Sequence, residues 1–158
     1  MWVLIAFLGT SAFVLAVGAA ALGPFFIGWY GEADRPAWEL PLTVRGGVWY
    51  VQNALVATSA WLVWTYPRRG VRGRALALFA GNLVLTSIVR PLLLALYPVL
   101  GTPALWLSVV AVGVLLVLLT VVAVRLRGTH PLAAGLLVPC ILWQLYLAAL
   151  NVALASAN

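Results

Sequence analysis

Asn82, Thr86 and Arg90 follow one another at intervals of four residues, which in a helix sets an amide, a hydroxyl and a guanidinium on one stripe. Such a stripe orients a polar group; it holds no nucleophile. Arg90 is its exceptional member, because no other charge falls between Ala75 and Tyr97. A guanidinium within an apolar helix costs at least about 2.5–3.5 kcal/mol to insert and faces a cavity or a partner. Two partners suit it: an acid of the preceding loop, Glu39 or Asp34, with Arg90 snorkelling outward to lock the loop, or the anionic group of a ligand.

Two further stripes have the same character. Trp49, Asn53, Ala57 and Ala60 share one side of a helix with Gln52 beside them, and Cys140, Gln144 and Asn151 share another with Trp143 one position away. Taken singly, each amide is explained by an interhelical hydrogen bond of about 0.6 kcal/mol. Their convergence points to an internal, aromatic-lined pocket. Catalytic chemistry is sparse by comparison. His130 stands alone beside Pro131, no His/Glu spacing suits a metal, and no phosphate-cradling glycine loop, nucleophile elbow or cysteine pair occurs. The acids Glu32, Asp34 and Glu39 read as solvated loop charges; in an enzyme, Glu39 or Asp34 would be the proton donor.

The elements that must position these residues are set by composition. Of 158 residues 65% are hydrophobic and 8% charged, with a mean hydropathy of +1.12, which excludes a water-soluble fold and places the chain in a bilayer. Uninterrupted apolar stretches give five spans in one all-α domain: Trp2–Leu22, Gly46–Tyr66, Ala75–Tyr97, Ala104–Val124 and Leu132–Leu154. Breaks are expected at Pro24, Pro67, Pro98, Pro103 and Gly128 to Pro131, leaving a long loop from Gly23 to Arg45. The first span lacks a basic leader and is long for a signal peptide. All nine basic residues are Arg. Arg68, Arg69, Arg72 and Arg74 fall between spans two and three, and Arg125 and Arg127 between spans four and five, so the positive-inside rule sets those loops and the N-terminus in the cytoplasm. The acidic first loop and the C-terminus then lie outside. Trp61, Trp64 and Tyr66 are expected in the inner aromatic belt, and Trp29, Tyr30, Tyr97 and Trp106 in the outer one.

The first loop and the last span together resemble the TspO/MBR family, the tryptophan-rich sensory and translocator proteins. Trp29-Tyr30, Arg35-Pro36-Ala37-Trp38, Pro41 and Trp49 keep the spacing of that family's loop motif, and Pro139, Trp143, Leu150 and Asn151 match its last-span signature. Asn82 and Pro91 fit more loosely. The chain departs from the family at Leu40, Thr43, Arg45, Thr86, Val89, Arg90, Cys140 and Leu147, which marks a divergent member. The resemblance implies a five-helix membrane bundle, a dimer, and a porphyrin, haem-type or sterol ligand with no obligatory cofactor and no metal.

The residues and the resemblance lead to one expectation: a membrane receptor or transporter-like protein that binds a lipophilic ligand, of tetrapyrrole, sterol or isoprenoid type, under the first loop. Tyr30, Trp38, Trp49, Asn53, Asn82, Thr86, Arg90, Trp143, Gln144 and Leu147 are its expected contacts. The alternatives are a membrane-embedded cyclase or isomerase that protonates an isoprenoid from Glu39 or Asp34, and a structural protein without a small ligand. Gly9, Ala12, Ala16, Ala19 and Ala20 form a small-residue face on span one suited to self-association among membrane lipids. No nucleic-acid partner is expected.

Overall fold

The computed structural model describes residues 2–65 and 69–158 and, apart from positions 21–27, 69–72, 74 and 75, their side chains. Tyr66, Pro67 and Arg68 lie outside the described residues, as do the side chains of Arg69, Arg72 and Arg74. Helices follow one another as α1 (Trp2–Tyr30), α2 (Leu42–Trp64), α3 (Arg69–Val84), α4 (Arg90–Ala95), α5 (Tyr97–Leu100), α6 (Thr102–Leu126) and α7 (Pro131–Ala157), with a π turn at Leu85–Val89 joining α3 to α4. There is no strand among the described residues. A helix bonds its own backbone groups, which is the requirement that hydrocarbon imposes.

Among the described residues four stretches are long and apolar enough to cross a membrane: Trp2–Ala20, Leu76–Ala95, Thr102–Leu126 and Pro131–Ala157. The protein is a helical integral membrane protein. α2 is not among the four, although it has 23 residues. Its position accounts for its composition: it packs against α1, α3 and α7 and buries Arg45, Gln52, Asn53 and Ser59. Polar groups tolerated at the centre of a bundle are those bonded to neighbouring helices.

The loop is shorter than the proline positions suggested. α1 continues past Leu22 and through Pro24 to Tyr30, and α2 begins at Leu42, so the connection spans residues 31–41 rather than 23–45. Proline interrupts a membrane helix less than a soluble one, because neighbouring groups re-satisfy the freed carbonyl. At 29 residues α1 is roughly 43 Å long, beyond the ~30 Å hydrocarbon thickness, and its surplus carries Tyr30 up beside the loop. Pro41 is the N-cap of α2, its carbonyl accepting from the Arg45 N–H at 3.0 Å, which puts Arg45 in the first turn.

The first loop, the Gly101 turn and the C-terminus meet at one end of the bundle. Asn158 bonds the Asp34 backbone in both directions, at 3.0 and 3.1 Å, and its carbonyl accepts from Thr102 Oγ1 at 3.2 Å. Gly101 has φ +64°, which lets α5 turn sharply into α6. α6 and α7 pair most extensively, joined at depth by the Ser108 hydroxyl donating to Asn151 Oδ1 at 3.1 Å.

Candidate functional site

Beneath the loop the side chains sort into tiers. The upper tier is a clamp. Tyr30, at the end of α1, donates its hydroxyl proton to the Glu39 carboxylate, and Arg45 donates to the Tyr30 hydroxyl at 2.9 Å while its second terminal nitrogen lies 2.7 Å from the same carboxylate. Arg35 approaches the other carboxylate oxygen at 4.0 Å. Arg45 and Glu39 are both enclosed, with side chains 10% and 8% exposed. Burial first, then the hydrogen bond to Glu39, push the Tyr30 phenol up to about 12, partly offset by Arg45. Tyr30 therefore serves as a buried donor and not as a belt residue.

This clamp changes the reading of three residues. Glu39 is held by Arg45 and Tyr30 and makes no ion pair with Arg90. Through these contacts it ties the loop to the end of α1 and the first turn of α2. Asp34 is exposed and tied through its backbone to Asn158, away from the clamp. Arg45 was not among the residues expected to form the site. Its signal was an Arg at the acidic end of the molecule, against the charge bias of the remaining loops.

An aromatic tier lies beside the clamp. Trp143 stacks on Tyr146 with centroids 4.9 Å apart, and Trp38, half exposed on the loop, meets the same ring edge-on at 5.8 Å. The Leu40 N–H donates to the Tyr146 hydroxyl at 2.9 Å, so this ring fastens the loop to α7. Tyr146 is the second residue that the sequence reading passed over, although it lies three positions from Trp143 on the same helix. Leu147 is buried with Tyr30, Val112, Leu150 and Leu154.

The lower tier is made of amides. Asn53 Oδ1 accepts from Asn82 Nδ2 at 2.9 Å and from Thr86 Oγ1 at 3.3 Å, while Asn53 Nδ2 donates to the Trp49 carbonyl at 2.9 Å. Gln144 Nε2 donates to Gln52 Oε1 at 2.9 Å. α2 is thus bonded to the α3–α4 rod through Asn53 and to α7 through Gln52, while Asn151 of the α7 stripe pairs with Ser108 of α6. Several polar atoms of these helices are buried without a hydrogen-bond partner: Arg45 Nε, Trp49 Nε1, Gln52 Nε2, Asn82 Oδ1, Arg90 Nε and Gln144 Oε1. Cys140, also buried, points its thiol at the Gln52 carbonyl from 3.7 Å.

Arg90 departs from the simple stripe. The π turn makes its N–H bond the Leu85 carbonyl five residues back, so one extra residue is inserted between Thr86 and Arg90 in rotational register. The Arg90 side chain lies within electrostatic range of Arg45 and Tyr30 and makes no hydrogen bond or ion pair among the described residues. A separate cleft of about 270 Å3, lined by Leu8, Ser11, Ala12, Leu15, Tyr50 and Ala54, lies between α1 and α2.

Among the described residues no group of three or more His, Cys, Asp or Glu could hold a metal ion. Compared with curated proteins, the chain has no match. The model of the TspO/MBR family matches residues 10–156, and the chain belongs to that family.

Proposed function

We propose that the protein binds a lipophilic ligand of tetrapyrrole, sterol or isoprenoid type in the space bounded by Trp38, Trp49, Trp143, the amide tier and the loop, acting as a membrane receptor or transporter-like protein. One observation carries this reading: Trp38 and Trp143 both contact a single ring, Tyr146, beside amides whose hydrogen-bonding capacity is incompletely used. Aromatic side chains offer flat faces to a conjugated or polycyclic body, while a few polar groups orient it. Tyr146 occupies the place that such a body would take, and the loop that it fastens is the route of access.

The arrangement in the membrane is part of the same proposal. α2 is a fifth span, the N-terminus is cytoplasmic, and two copies associate through α1. Reporter fusions at the C-terminus test the orientation, which fails if a cytoplasmic reporter is the active one. The ligand is tested by titrating the purified protein in nanodiscs with protoporphyrin IX, cholesterol and a polyisoprenol while following tryptophan emission. A saturable response to one of them, lost in Trp143→Ala with melting temperature kept, supports the proposal. Absence of saturable binding for all three overturns it.

A further inference from the structure

Hydroxyls along the helices of this chain are bonded in one of two ways. Thr58, Thr86, Thr120 and Ser156 each donate to the carbonyl four residues back, at 2.7–2.8 Å, whereas Ser59 and Ser108 reach neighbouring helices at 2.9 and 3.1 Å. Ser11 does neither. It is 3% exposed, and among the described residues its hydroxyl is the buried one without a hydrogen-bond partner. A hydroxyl shut away in this manner opposes folding, so its retention asks what it bonds.

Ser11 lines the cleft of about 270 Å3 between α1 and α2. Leu8, Ser11, Ala12 and Leu15 form one stripe of α1, and Tyr50 and Ala54 lie one turn apart on α2. The cleft is held open because α1 is pinned on both sides of it. Toward the N-terminus Phe7 packs edge-on against Phe79 and Trp64, at 4.7 and 6.2 Å between centroids. Toward the loop Gly18 stands so close to the π turn that a Cβ would lie 2.8 Å from the Ser87 carbonyl oxygen. Between these pins the small side chains of Ala12 and Ala54 leave the gap unfilled.

Place and size select the occupant. Ser11 is midway along the apolar stretch Trp2–Ala20, and Ala12 and Tyr50 are exposed, so the cleft opens sideways into the middle of the hydrocarbon. Sites that enclose a drug-sized molecule run to roughly 300–1,000 Å3. This one is smaller and open on one side, which suits a segment of a slender molecule whose remainder stays in the bilayer. A plain hydrocarbon chain matches the walls and leaves the Ser11 hydroxyl unpaired. A chain with an oxygen at that depth satisfies both, since a hydroxyl can donate to it.

We propose that the cleft between α1 and α2 is a second ligand site, independent of the one under the loop, for a single-chain lipophile with a hydroxyl or keto oxygen at mid-chain that Ser11 recognises. The test uses the full chain in nanodiscs and a matched pair of probes, stearic acid and the same acid hydroxylated at mid-chain, with bound populations read by native mass spectrometry. The wild type is expected to favour the hydroxylated chain by about two- to tenfold, the range of one neutral hydrogen bond. Ser11→Ala should bind both chains equally, keep the wild-type affinity for stearic acid and melt no lower, because its hydroxyl has no protein partner to lose. Ala54→Leu, which sends a larger side chain into the cleft, should weaken both chains and leave the response to protoporphyrin IX, a probe of the site under the loop, as in the wild type. Should that variant melt lower, Ala12→Leu on the opposite wall serves the same purpose. Equal binding of the two chains by the wild type, a preference that survives Ser11→Ala, or undiminished binding in the cleft-filling variant overturns the proposal. So does crosslinking between two copies through Tyr50→Cys in a Cys140→Ser background, which would seat a second copy in the cleft.

Discussion

At the scale of single residues, the loop is held by the charge and hydrogen-bond complement of Glu39. Replacing it with Gln leaves the enclosed Arg45 guanidinium without its counter-charge, a change that costs about 3 kcal/mol when a buried pair is broken from one side. Glu39→Gln should accordingly lower the melting temperature and expose the loop to protease, and an unchanged melt would show that the clamp does not hold the loop. Tyr30 gives the same clamp an alkaline limit. Its phenol is raised from 10.0 to about 12 in the folded protein, so the folded state keeps its proton where the unfolded state has lost it. That contribution is complete below about pH 10 and is lost as pH rises through about 12. The tyrosinate absorbance of the wild type minus that of Tyr30→Phe should report a late-titrating phenol, and a transition at the ordinary value would refute its burial in the clamp.

At the scale of elements, the junction between α3 and α4 depends on one glycine of α1. A Cβ on Gly18 would sit 2.8 Å from the Ser87 carbonyl oxygen, inside the π turn, so α1 approaches that turn only because the side chain is absent. Gly18→Ala should destabilise the protein by about 1–3 kcal/mol through overpacking against backbone. Gly113→Ala, where a Cβ meets nothing within 4 Å, should be neutral or slightly stabilising in the same melt. Equal melts for both variants would mean that α1 can move away from the π turn without loss. The turn itself is invisible in hydrophobic periodicity, because Leu85 to Val89 has the composition of any membrane helix.

At the scale of the molecule, α1 presents Gly9, Ala12, Ala16, Ala19 and Ala20 outward, each exposed. Small side chains let helix backbones approach closely in lipid. With its native Cys140 replaced by Ser, Ala16→Cys should form a disulfide-linked dimer in membranes under mild oxidation, whereas Val117→Cys, on the exposed face of α6, should not. Crosslinking at position 117 and none at position 16 would move the interface to α6.

Composition alone determined that this chain is helical and membrane-embedded, because an apolar sequence without water has few other ways to satisfy its backbone. Periodicity was enough to choose Asn53, Asn82, Thr86 and Gln144 as inward-facing, since a polar group in a membrane helix is stable only toward a partner. Which partner each one meets was decided by tertiary structure. Topology alone sets Glu39 or Asp34 as the acid for Arg90; the extension of α1 through Pro24 and the early start of α2 at Leu42 bring Tyr30 and Arg45 to Glu39 instead. The length of the loop, the place of Tyr146 and the isolation of Arg90 all depend on how far a helix continues past a proline and on one extra residue in a turn. Those outcomes are set by packing between helices, which has no local signature in the residues concerned.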